Sequence, residues 1–236
     1  MHLIGNYSIK HGEKIPIYNV YGNIYGTEVG TRKNPEARRT ERSVAASEIG
    51  KNAFLFTNIE VLLDVTDAKT MMTHHTVLWS LVNQRDEPVD RVFYYIDGDT
   101  PQDFPEINFK ATDEDGKELT IQSLDVNKPY HKEFFVKLNR PLRPNQKGRQ
   151  VRFEYDWEEP ERQYTYKFSS DCKKFHFLLT LPKGVEVSQK VARASPETGD
   201  KEYASTPASV RYLKDRTEME WRGSDISIFT AYRFDW

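Results

Sequence analysis

The side chains best equipped for chemistry lie in one stretch, VRFEYDWEEPERQYTYKF (151–168), where Asp156, Glu158, Glu159 and Glu161 sit among aromatic rings. Carboxylates so grouped divide acid and base roles when their environments push their pKa values apart, and rings beside them would suit a sugar. Strand parity argues against both. Val151, Phe153, Tyr155 and Trp157 alternate with Arg152, Glu154 and Asp156, so the rings share one face and the charges the other. Pro160 then marks a turn. Glu158, Glu159 and Glu161 are expected on a solvated hairpin tip, the usual place of charged side chains.

Four other groups invite the same test. Asp97, Asp99 and Asp103 in DGDTPQD, with Asp113 and Asp115 in DEDG as a second set, form loop groups of hard oxygen ligands for which the ion would be calcium. The twelve-residue calcium loop, with its central glycine and terminal glutamate, is not matched, and Asp and Gly also dominate turns for conformational reasons. His74 and His75 are adjacent, so on a strand they point apart and do not chelate one ion. Cys172 and His176 are four residues apart, about 13 Å along a strand, too far for proton transfer. Arg38, Arg39 and Arg42, with Arg32 and Lys33 nearby, make a basic segment in which guanidinium groups suit a small anionic ligand or an acidic partner. Phosphate-cradling glycine motifs, the GxSxG elbow and HExxH are all missing from the sequence. No cofactor is expected.

The totals narrow the class. The chain has 236 residues, 34 basic and 36 acidic, for a net charge of −2, so no global field draws it to nucleic acid. Cys172 is the single cysteine, which rules out an intramolecular disulfide and favours a reducing, cytoplasmic setting. The first residues read as no secretory leader, and no run approaches the roughly 20 apolar residues a membrane helix needs. Aromatic residues at 13% lean towards strands.

The elements that must carry these groups read as β throughout. Residues 1–50 are expected to form a glycine-rich and basic N-terminal segment, partly flexible, with Asn34 and Pro35 opening a short helix or a loop. Residues 51–236 are expected to form the β-sandwich domain. AFLFTNIEVLLDV, HHTVLWSLVN, VDRVFYYID, KEFFVKL and KFHFLLTL are strand-like runs separated by Asp, Asn, Gly and Pro turns. Asp115-Gly116 gives INFKATDEDGKELTIQSL the pattern of a hairpin. The terminal DISIFTAYRFDW places Ile226, Ile228, Tyr232, Phe234 and Trp236 in one register. The fold class is all-β, a predominantly antiparallel, immunoglobulin-like sandwich.

One resemblance attaches to the middle of the chain. VLWSLVNQRDEPVDRVFYYID, then DEDGKEL, then FFVKLNRPLRPNQKGRQVRFEYD follow an order in which Pro141, Leu142, Pro144 and Gly148 lead to Tyr155 and Asp156. This order resembles the N-terminal β domains of aminopeptidases of the gluzincin group, and more broadly immunoglobulin and fibronectin III-like sandwiches. The resemblance implies architecture. It carries over no catalytic residue, because the zinc-binding helix and the exopeptidase glycine motif have no counterpart here.

The expected function is therefore a non-catalytic cytoplasmic recognition or sensor module for a protein partner or small anionic ligand. Two alternatives stand beside it: an enzyme whose site is assembled from separated loop residues, and a structural domain that forms homo-oligomers through an edge strand, with the aromatic C-terminal strand as that edge.

Overall fold

A computed structural model of the chain describes residues 2–8, 14–19, 54–195 and 202–236. In chain order these residues form β1 (His2–Ser8), β2 (Lys14–Asn19), β3 (Phe54–Asp67), β4 (Met72–Asn83), β5 (Val89–Asp97), a 3₁₀ turn (Phe104–Ile107) and β6 (Lys110–Asp113). There follow β7 (Thr120–Lys128), β8 (His131–Leu142), β9 (Arg149–Glu158), β10 (Gln163–Lys167), β11 (Cys172–Pro182) and β12 (Lys190–Ala194). The last four are β13 (Tyr203–Ala204), β14 (Ser209–Tyr212), β15 (Arg216–Ile226) and β16 (Ala231–Asp235). The fold is all-β, as the alternation predicts, and among the described residues no helix is long and apolar enough to cross a membrane.

One seven-stranded sheet, ordered β14-β15-β11-β3-β4-β9-β6, forms the floor. Two smaller sheets, β5-β8-β7 and β10-β16-β12-β13, lie over the same face. Ring contacts show the stacking: Tyr94 on β5 lies 4.1 Å from Phe153 on β9, and Phe234 on β16 lies 3.9 Å from Phe177 on β11. Strand pairing is antiparallel throughout the described strands except between β3 and β11. β1 and β2 pair with each other.

Sequence phase explains the sheets in detail. In β3 the buried residues are Phe54 and Phe56, then Ile59, Val61, Leu63 and Val65, so the inward set changes from even to odd numbers. A bulge between Phe56 and Asn58 supplies the extra residue that makes this shift. β9 needs no such device, and Val151, Phe153, Tyr155 and Trp157 are all buried, as their parity predicts.

The Asp115-Gly116 hairpin forms, with Gly116 at φ +75°, Asp113 N–H donating to Lys117 O and Thr112 bridged antiparallel to Glu118; beyond Leu119 the second arm leaves the floor, where β6 pairs with β9, and continues as β7 beside β8 above. One expectation is corrected: the C-terminal run is split, β15 ending at Ile226 in the floor and β16 continuing in the upper layer. There β16 lies between β10 and β12, so the C-terminal strand is not a pairing edge.

Trp157 anchors one end of the sandwich. Its side chain is fully buried, its Nε1–H donates to Thr100 O at 2.9 Å, and the Lys132 ammonium lies 5.5 Å from its ring centroid. Lys132 itself falls on the core face of β8 and is fully buried. Its Nζ donates to the carbonyls of Gln102 (2.6 Å), Lys128 and Pro129 (3.4 Å), which replace water around a charge that could not otherwise enter the core. Burial holds its pKa down, opposed by the charges of Asp103 and Glu106. This lysine thereby ties the loop after β5 and the β7–β8 turn to the tryptophan.

Candidate functional site

The greatest concentration of titratable side chains lies where the two upper sheets meet over the floor. β4 brings His75, β9 brings Tyr155 and runs on to Glu159, β5 brings Tyr94, and β10 brings Tyr164 and Tyr166. His75 stacks on Tyr155 with ring centroids 4.4 Å apart, and its Nε2 lies 3.5 Å from Glu159 Oε1. Trp79 Nε1–H donates to the Tyr166 hydroxyl at 2.8 Å, and the Tyr94 and Tyr155 hydroxyls are hydrogen-bonded to each other. Burial raises the phenol pKa values of Tyr94, Tyr155, Tyr164 and Tyr166, so all four stay protonated at neutral pH.

Imidazole, carboxylate and phenols together are the equipment of acid–base catalysis. The centre of the cluster is closed off, with His75 0% exposed, Glu159 1%, Tyr155 4% and Tyr94 5%, while Tyr164 and Tyr166 at its rim are half-buried. The cluster instead supplies the seam between two sheets with a polar network. Glu159 corrects the sequence reading. The tip around Pro160 turns inward at this residue, whose N–H donates to Met71 O at 3.0 Å, while Glu161 stays exposed.

The outer face of the floor carries paired charges. His74 points outward, opposite to His75 as adjacent strand residues must, and its Nδ1 meets Asp156 Oδ1 at 2.7 Å. Asn108 donates to the other oxygen of Asp156 at 3.1 Å. His176 is 2.9 Å from Glu220, which also accepts from Arg222. Cys172 takes no part: its thiol is buried, donates to Lys174 O, and is pushed up to about 12 by that burial.

The loop acids go to separate partners. Asp97 Oδ1 lies 2.5 Å from His131 Nδ1, Asp99 Oδ2 accepts the Glu161 N–H at 3.1 Å, and Asp103 precedes the 3₁₀ turn, where its N–H donates to Glu106 at 2.7 Å. Among the described residues no group of three or more His, Cys, Asp or Glu is arranged to hold a metal ion. Arg38, Arg39 and Arg42 lie outside the described residues, as does the segment expected to open a short helix or a loop at Asn34 and Pro35.

His131 is a charged site that sequence reasoning missed. Its other nitrogen lies 2.8 Å from Glu133. Burial alone would lower its pKa, but hydrogen bonds to Asp97 and Glu133, and their charges, raise it to about 9. Glu133 stands two residues away on the same strand face, a signal legible in HKE; the Asp97 partner arrives through β5–β8 pairing and is not.

Two surface features remain. A cleft of ≈ 290 Å³ beside β6 and β7 is lined by Phe109, Ala111, Leu119 and Ile121 with Lys110, Glu118 and Thr120 at its polar rim. At the opposite end of the floor the edge strand β14 carries exposed Tyr212, followed by Leu213, and β13, the edge strand of an upper sheet joined to β14 by one short connector, carries exposed Tyr203. Among the described residues these are three of six large exposed hydrophobic side chains, the others being Leu124, Tyr130 and Phe229, with Tyr212 at 70% and Tyr203 at 51% exposed. The connector between these strands is tied to both layers: Ser205 N–H donates to Val191 O, Ala208 N–H to Gln189 O, and Trp221 Nε1–H to Thr206 O.

No protein-family model matches the chain, and no curated protein matches it. Among solved structures, an M1 zinc metallopeptidase from Deinococcus radiodurans is 11% identical, with a TM-score of 0.45, over 78% of this chain and 43% of that one. A mutant M1 zinc metallopeptidase from the same organism bound to a Tyr-Ser-Ala substrate is 13% identical, with a TM-score of 0.44 over 77% of this chain and 42% of that one. A two-domain M1 zinc metallopeptidase mutant bound to L-arginine gives 11% and 0.47, over 78% and 43%. This chain spans less than half the length of each of these structures.

Proposed function

We propose that the sandwich is a recognition module for a protein partner, with the β13–β14 margin as its contact surface. The observation that carries this reading is the exposure of Tyr203, Tyr212 and Leu213 on or beside two consecutive edge strands joined by one short connector. Tyrosine suits such a surface: it offers large contact area at low conformational cost and a hydroxyl for the wet rim. The burial of His75, Glu159, Tyr155 and Tyr94 fits the same reading, because it assigns these groups to holding the scaffold together.

The test begins with affinity purification of partners from the source cells, followed by reconstitution with the purified partner and calorimetry. The Tyr203→Ser/Tyr212→Ser/Leu213→Ser triple variant should keep the wild-type Tm and bind at least about tenfold more weakly, since interface energy concentrates in aromatic anchors. An unchanged Kd in the triple variant, or no partner that reconstitutes, overturns the proposal.

A further inference from the structure

Among the described residues, the edges of the three sandwich sheets differ in how open they are. β6 is closed by its own return turn, in which Asp113 N–H donates to Lys117 O at 2.9 Å and Leu119 N–H to Ala111 O at 2.8 Å. β7 is interrupted by register shifts between Ile121 and Ser123 and between Leu124 and Val126, and such bulges blunt an edge. β5 and β10 face the seam, where Tyr94 and Tyr166 both meet Trp79. β13 is two residues long. β14 has neither bulge nor proline in its four residues, Ser209–Tyr212.

Backbone alternation says which groups β14 leaves open. Leu213 N–H donates to Arg216 O at 2.8 Å, closing a two-residue loop. In an antiparallel ladder, hydrogen-bonded pairs alternate with pairs whose backbone groups point away. Counting back from the 213/216 pair, Arg211 with Glu218 and Ser209 with Glu220 are the hydrogen-bonded pairs. The N–H and C=O of Val210 and Tyr212 are therefore directed away from β15.

We infer that β14 receives an added antiparallel strand from the partner, an extended segment carrying a carboxylate opposite Arg211. This rests on the recognition reading above and names its mode. Charge selects the carboxylate. Arg211 is 57% exposed on the outer face and lies 2.9 Å from Glu218, a carboxylate already held by Arg216 at 2.8 Å. Glu220 beside it is held by Arg222, lies 2.9 Å from His176 Nε2 and 3.7 Å from Arg211 itself, so among these ion pairs three guanidinium groups share two carboxylates. The excess is one positive charge at the position that an added strand would cover. A second copy of this chain fits less well, because antiparallel pairing of Val210 with Tyr212 sets Arg211 directly against its own counterpart, and like charges opposed across a ladder are destabilising.

The probe is a capped nonapeptide of alternating valine and threonine with glutamate at its centre, added to the full chain and followed by amide hydrogen exchange and titration. Exchange at the Val210 and Tyr212 amides should slow at least tenfold. Methylating the peptide nitrogens that face β14 should abolish binding. Val210→Pro, which removes an outward N–H while leaving the β15 ladder its donors, should do the same with the fold retained by circular dichroism. Arg211→Glu should reject the glutamate peptide and accept one with central lysine. Peptide binding that survives N-methylation and Val210→Pro yet falls in the Tyr203→Ser/Tyr212→Ser/Leu213→Ser variant overturns strand addition and keeps the recognition surface. Binding unchanged in all of these variants overturns both, and absence of binding at millimolar peptide overturns strand addition.

Discussion

Gly98 is the position where one added carbon should be felt most. A Cβ built there would lie 2.0 Å from Trp157 Cε2, 2.1 Å from Nε1 and 2.4 Å from Cδ2. The ring has no room to yield, because it is fully buried, fixed by its bond to Thr100 O and flanked by Lys132. Gly98→Ala should therefore cost about 3 kcal/mol, the upper part of the usual range for overpacking. Trp157→Ala removes the obstacle and should cost about 3–5 kcal/mol by itself. In that background Gly98→Ala should cost under about 0.5 kcal/mol, because its methyl enters vacated space. The double-mutant cycle then yields a coupling above about 2 kcal/mol. Urea denaturation followed by far-UV circular dichroism measures all four corners without relying on the deleted fluorophore. Equal cost for Gly98→Ala in both backgrounds, or a single-variant cost below about 0.5 kcal/mol, would refute the reasoning.

Three further outcomes follow from burial and charge. His131 has a folded pKa of about 9, above its unfolded value of about 6.5, so its stabilisation is complete below the unfolded value and is lost as pH rises towards 9. With partners partly open to water, the loss should be about 1–2 kcal/mol after screening, and His131→Gln should flatten that part of the stability–pH curve; an unchanged slope contradicts it. His75→Phe keeps the stack on Tyr155 but leaves the Glu159 carboxylate buried without its imidazole, so chemical denaturation should show a loss of about 3–5 kcal/mol, largely recovered by adding Glu159→Leu. The Cys172 thiol, buried and raised to about 12, should react with a thiol reagent only at the rate of global unfolding; fast labelling in native buffer would show the site to be open.

Side-chain parity was legible where a strand runs unbroken: β9 and β11 place their rings as simple alternation demands. It failed where the chain changes phase or layer without a composition signal. Residues 227–230, Ser-Ile-Phe-Thr, carry the chain from β15 to β16 with neither glycine nor proline, and Phe229 adopts φ +67° to do so. The buried place of Glu159 was hidden for a different reason. Its imidazole partner belongs to β4, and only the β4–β9 register brings the two together. Lys132 shows the same limit, since a lysine on an inward position is tolerated only because three carbonyls, one from the loop after β5 and two from the β7–β8 turn, converge on it. Exposure at the β13–β14 margin likewise depends on sheet order, which no local run of residues encodes.

The recognition account is tested most directly by the exchange footprint of the chain in complex with its purified partner. Protection centred on the Val210 and Tyr212 amides, extending to Tyr203 and Leu213, is the predicted result. Protection centred on the outer face around His74 and Asp156, or on the cleft beside Phe109 and Leu119, with the margin exchanging as in the free chain, would contradict it.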